Sequence, residues 1–206
     1  MYRILLASSL ALAMAGCNSL IASATGPDPI GSSSGTRTLS QRIEDGSIER
    51  TAGVNMHKAN ADFRQANVNI LSFYGSVLLA GQVPSEELKA EAERVVRRIA
   101  EVKQVHNELT VGPSSYYQER SSDGVISMRI RSAFTFEKGF PASRTKILTV
   151  AGTVYLMGKL TTEESEQAVN LIKQVAGVKK IIKLVDLLPS PEGAPTPANA
   201  PAPSQG

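Results

Sequence analysis

Tryptophan is absent from this chain of 206 residues, cysteine occurs once and histidine twice, and aromatics make up only 5% of the sequence. Each shortage excludes something. A single cysteine, Cys17, cannot form an intramolecular disulfide. His57 and His106 are isolated from each other and from any nucleophile, so neither a zinc ligand set nor a nucleophile–histidine pair can be read. The glycines are widely spaced and never form the G-x-G-x-x-G pattern that cradles phosphate. Glu86 with Glu87, and Glu163 with Glu164, sit where helices begin and are better explained by the helix dipole than by acid–base work. The chain therefore reads as a non-enzyme with no cofactor and no metal. The net charge of +3 is small, and the basic residues lack interleaved aromatics, so nucleic acid is not an expected partner.

No apolar run approaches the ~20 residues of a membrane-spanning helix. The run Ile4 to Met14 is shorter, follows Arg3, and ends in Ala15, Gly16 and Cys17. This resembles a bacterial lipoprotein signal, with Met14 where leucine is usual. The resemblance implies cleavage after residue 16 and a lipidated N-terminus at Cys17. Each buried CH₂ of an acyl chain contributes roughly 0.8 kcal/mol, so several chains would hold the protein firmly on a bilayer. Asn18 stands where aspartate would signal inner-membrane retention, which by the same resemblance implies the outer membrane, facing the periplasm. An ordinary secretory signal with a coincidental cysteine is the alternative.

Residues 17–38 are rich in Gly, Ser and Thr and read as a flexible tether. Residues 189–206 are dominated by Pro, Ala and small polar residues and read as a disordered or polyproline-like tail. Between them the sequence repeats. "GSVLLAGQV" at Gly75 returns as "GTVYLMGKL" at Gly152, each preceded by a β-rich run, so each copy predicts a hairpin. Gly81 and Gly158 recur inside the second strand, where a glycine signals a bulge or a close backbone approach. Upstream, Asp-Gly opens a helix in each copy. Ile48, Ala52 and Met56 match Ile126, Ile130 and Phe134 at helical spacing, with Asp45 and Asp123 as expected N-caps. Gly53 and the Val54-Asn55 pair weaken the first of these helices. Downstream come a capped amphipathic helix, "PSEEL" or "TTEES", and a last strand. The fold class expected is α+β, in two units ordered α-β-β-α-β, spanning 39–112 and 113–188. Units this small have thin cores and are expected to dock on each other.

The hairpin with its two glycines, the capped helix and "VAGVKKI" resemble the BON domain. That domain implies a small three-stranded mixed sheet with two helices on one face. Two copies behind a lipobox resemble the dual-BON outer-membrane lipoproteins, the DolP-like or YraP-like family. The resemblance implies a periplasm-facing protein that binds anionic phospholipid and supports outer-membrane integrity at the division site. It places the lipid surface chiefly on the first helix of the second unit. A chaperone-like or accessory role in outer-membrane protein assembly is the rival reading.

Charge supports the same unit independently. Residues 39–112 hold nine Lys and Arg against ten Asp and Glu, whereas residues 113–189 hold eleven against seven. In the first helix of the second copy, Val125, Arg129, Ser132 and Phe136 form a stripe about 100° from the core stripe, with Arg131 and Lys138 nearby. The candidate lipid contacts are these six residues together with Ile126. Two readings of that flank stand at this point: contact with lipid, or packing of Val125 and Phe136 against the first unit or the β-sheet, with the arginines solvated.

Overall fold

Each repeat is organised around a two-residue turn. The computed structural model describes residues 37–113 and 117–189. The segments expected to be signal, tether and tail, with Cys17, lie outside the described residues apart from Arg37, Thr38 and Pro189. Strands β1 (Asn67–Phe73) and β2 (Ser76–Val83) are joined by Tyr74 and Gly75, both at positive φ. Strands β4 (Thr145–Val150) and β5 (Thr153–Leu160) are joined by Ala151 and Gly152 in the same way. Two left-handed residues in a two-residue loop match the right-handed twist of the flanking strands. Gly75 and Gly152 supply one of them without a Cβ penalty; Tyr74 and Ala151 must be held there.

The holding group is the aspartate of each Asp-Gly pair, and this corrects the N-cap expectation. Helix α1 runs Leu39–Ala59 and starts at a Thr38–Gln41 capping box, so Asp45 lies in its interior. The buried Asp45 carboxylate accepts hydrogen bonds from Ser72 Oγ (2.8 Å) and the Gly75 N–H (3.2 Å), and pairs with Arg37 (3.2 Å). Asp123, inside helix α3 (Tyr117–Phe136), accepts the N–H groups of Ala151 (2.7 Å) and Gly152 (2.9 Å). Both aspartates clamp a strained turn to the helix above it. Gly53 does not end α1, because Ala52 and Met56 on either side of it are buried in the core.

In each unit the sheet order is β1-β2-β3 or β4-β5-β6, the first pair antiparallel and the second parallel. The last strands are β3 (Gln104–Val111) and β6 (Lys180–Leu187). A parallel pair requires a crossover, supplied by α2 (Glu86–Arg97) and α4 (Thr162–Lys173). Ser85 caps α2, and Thr161 with Glu164 forms the predicted capping box on α4. Gly81 and Gly158 answer to the predicted close approach. A Cβ on Gly81 would lie 1.8 Å from the Asn67 carbonyl oxygen, and one on Gly158 would lie 2.7 Å from that of Arg144.

Alternation divides each central strand between two cores. Val77, Leu79 and Val83 face α1 and α2; Val154, Leu156 and Leu160 face α3 and α4. The opposite parity, Phe73, Leu78 and Ala80 from one sheet and Val150, Tyr155 and Met157 from the other, forms a third core between the two sheets. The same positions of the two repeats supply it, so the units dock through equivalent faces and leave their helices outside, in α/β/β/α layers. Lys146 crosses the seam and donates to Glu49 Oε1 (2.8 Å) and the Ser72 carbonyl (2.9 Å). Burial in this seam raises the Tyr155 phenol above its ordinary pKa, with the Glu108 carboxylate adding to the effect.

Candidate functional site: an apolar stripe on the outer helix of the second domain

Docking through the sheets frees the solvent faces of the outer helices. Helix α3 turns Ile126, Ile130 and Phe134 inward onto the sheet, and Phe134 packs at a tilt against Phe140 of the connection to β4, ring centroids 4.5 Å apart. At 100° per residue, Val125, Met128, Arg129, Ser132 and Phe136 all lie within about 60° of their mean direction, which is about 140° from that core stripe and so farther round the helix than the 100° expected. Side chains there meet water: Val125 is 42% exposed, Met128 60% and Phe136 83%. Arg129, Ser132 and Lys138 are also exposed. Arg129 and Lys138 form no ion pair among the described residues.

The predicted residues therefore divide. Val125, Arg129, Ser132 and Phe136 share one free face, with Lys138 just beyond the helix. The reading in which Val125 and Phe136 pack against the first unit does not match their exposure. Ile126 belongs to the core, at 7% exposure, and touches the space over Gly177. Arg131 leans the other way: its Nη2 donates to the Ile147 carbonyl at the sheet edge (3.0 Å). Met128 was not among the predicted residues, although its place three residues after Val125 was a readable signal.

Comparison of the two copies sharpens the stripe. With Asp45 set against Asp123, the residues of α1 matching Val125, Met128 and Phe136 are Ser47, Arg50 and Lys58. The same fold in the same chain is polar at those places in one copy and apolar in the other. Packing cannot account for the difference, since both faces point outward.

Elsewhere the described residues offer little chemistry. His57 Nδ1 contacts the Gly53 carbonyl (2.7 Å) and His106 Nε2 contacts Ser76 Oγ (3.1 Å), both as local hydrogen bonds. Among the described residues no group of three His, Cys, Asp or Glu is placed to hold a metal. No helix among them is long and apolar enough to cross a membrane.

Two mixed α/β units of this order, each with a glycine-turned hairpin, define a class of protein. The BON domain model matches residues 45–113 and 122–189, and the chain belongs to the BON-domain family. Within that family it is 30% identical, over 74% of its length and 79% of the relative's, to "Outer membrane lipoprotein DolP" of Haemophilus influenzae. It is 27% identical, over 73% of its length and 77% of the relative's, to "21 kDa hemolysin" of Actinobacillus pleuropneumoniae. Its kinship is thus with outer-membrane lipoproteins of the DolP kind.

Proposed function

We propose that this protein is tethered to the outer membrane through Cys17, faces the periplasm, and binds anionic phospholipid through α3 of its second domain. In that role it supports outer-membrane integrity, with the division site as its place of action. One observation carries the reading: the stripe Val125, Met128 and Phe136 is exposed, flanked by Arg129 and Lys138, and replaced by polar residues in the first copy. Apolar side chains that enter the acyl boundary beside cations that meet phosphate are what an interfacial helix requires. Each cation near an anionic leaflet adds about 1 kcal/mol. The tether raises the local concentration of the contact, so a weak site suffices.

Without its anchor, the chain from residue 18 onward is expected to sediment with phosphatidylglycerol vesicles and not with phosphatidylcholine vesicles. Added salt weakens that binding, because the cations are exposed and screened. Arg129→Glu exchanges an attraction for a repulsion worth roughly 2 kcal/mol in all, which lowers affinity about thirtyfold. Equal binding to neutral vesicles, or an unaffected Arg129→Glu variant, contradicts the reading.

A polypeptide partner, from outer-membrane assembly or division, is the second reading. Leu39 (74% exposed) and Ile43 (61% exposed) at the start of α1 favour it. They lie on the opposite outer layer from α3, where a flat membrane holding α3 would not reach them.

A further inference from the structure

The basic excess of the second domain is concentrated away from the α3 stripe. Four of its eleven cations, Lys173, Lys179, Lys180 and Lys183, line one open groove of about 430 Å³ between α4 and the edge strand β6. The floor of the groove is apolar, made by Val169, Val178 and Ile181. All four lysines are exposed, and none forms an ion pair among the described residues. The nearest carboxylate along α4, Glu166, is one turn before Val169 and does not line the groove.

The first copy shows what this place looks like when it is closed. Strand pairing sets Gln104 against Lys180, and therefore Asn107 against Lys183; helix capping sets Glu93 against Val169 and Arg97 against Lys173. In the first copy Glu93 accepts both Arg97 Nε (2.9 Å) and Nη2 (2.7 Å), and also Asn107 Nδ2 (3.2 Å). The Arg97 hydrogen bonds, with that from Asn107, hold the Glu93 carboxyl below its ordinary pKa. In the first copy Arg97 and Glu93 thus satisfy each other, while Lys103, which matches Lys179, stays exposed with no ion pair among the described residues. In the second, the central carboxylate is replaced by valine and two neutral amides by lysines. Lysines on an edge strand block unwanted strand pairing, which accounts for Lys180 and Lys183. It does not account for the loss of the carboxylate from the facing helix, which removes their natural counter-charge.

We infer that the α4–β6 groove is a second anion site, which takes the phosphate headgroup of an anionic lipid. Ammonium groups bind phosphate as point charges, and their long stems lie along an apolar floor while the heads stay wet. A free phosphate would leave that floor uncovered; the glycerol and first carbons of a lipid would cover it. The choice of a lipid as occupant rests on the membrane reading above, but the groove shares no residue with the α3 stripe.

The test uses the full chain in a neutral detergent, with lysine reactivity toward an acetylating reagent followed by mass spectrometry. Dihexanoyl phosphatidylglycerol is expected to slow acetylation of Lys173, Lys180 and Lys183 by about threefold or more, through contacts of the ordinary strength of a lysine near anionic lipid. Lys89 in the first domain serves as the unprotected control. Dihexanoyl phosphatidylcholine should give no protection, and glycerol phosphate much less. Val169→Glu restores the carboxylate of the first copy and should abolish protection; Val125→Ser with Met128→Ser and Phe136→Ser should leave it intact. That second variant separates the groove from α3, because the stripe can fail as a lipid contact while the lysines remain protected. Unchanged reactivity, protection that survives Val169→Glu, or protection lost with the α3 variant overturns the proposal. Equal protection by glycerol phosphate overturns the choice of a lipid, and stronger protection by a glutamate-rich peptide replaces the lipid with a polypeptide.

Discussion

Replacing Val125, Met128 and Phe136 together by serine is expected to reduce affinity for phosphatidylglycerol vesicles about 100-fold while leaving the fold intact. Complete burial of a Val, Met or Phe side chain contributes roughly 1.5–3 kcal/mol. Insertion at an interface realises about half of that, or ~3 kcal/mol over the three residues, and 1.4 kcal/mol is a factor of ten. The fold is spared because all three side chains already face solvent. Vesicle titration of the anchorless chain, with circular dichroism and thermal melting alongside, checks both halves. A drop of less than threefold would remove the stripe from the binding surface.

Asp123→Ala acts in the opposite sense, on stability rather than on binding. It strips the acceptor from the Ala151 and Gly152 N–H groups in a turn where Ala151 sits at φ 50°. Hydrogen bonds to a charged acceptor contribute ~1.5–3 kcal/mol each, and a buried donor left without a partner costs ~1–3 kcal/mol. A loss of about 3 kcal/mol is expected, which lowers Tm by ~6–12 °C for a structured region of this size. Asp45→Ala should cost at least as much, because Ser72, Gly75 and Arg37 all lose a partner. Asparagine rescues neither. In Asp123→Asn an amide N–H₂ replaces one of the two oxygens that face backbone donors, and in Asp45→Asn it can meet the Arg37 guanidinium. Melts of the two variants that differ from wild type by less than 1–2 °C would mean the carboxylates are not the clamps described, since ~1 kcal/mol alone moves Tm by 2–4 °C.

The repeat, the hairpins and the helix stripes were legible because each depends on local spacing. Ile48, Ala52 and Met56 recur every fourth residue, and Gly75 and Gly152 mark the only short connections between β-rich runs. The role of Asp45 was not legible, because Asp-Gly before an apolar stripe looks like a helix start and its true partners lie some 30 residues onward in the hairpin. The real start, Thr38 with Gln41 three residues later, was a readable capping pattern masked by the Gly/Ser-rich run before it. That the units dock through their sheets follows from the central strands. Leu78 and Ala80, and Tyr155 and Met157, put apolar residues on both faces of a central strand, and a strand apolar on both faces is covered on both. Counting charge by unit assigns the basic excess to the second domain but does not divide it between surfaces. A count carries no position, and only the folding of β6 beside α4 brings Lys173 and Lys183 together.

The absence of tryptophan permits the most direct test of the lipid contact. Phe136→Trp places a single indole at the exposed end of the α3 stripe. On mixing the anchorless chain with phosphatidylglycerol vesicles, its emission should shift to the blue and be quenched by brominated acyl chains. Lys58→Trp, at the matching place in the first domain, should do neither. Co-sedimentation of the Phe136→Trp chain with the vesicles, with an emission spectrum unchanged from that in buffer, would contradict the account.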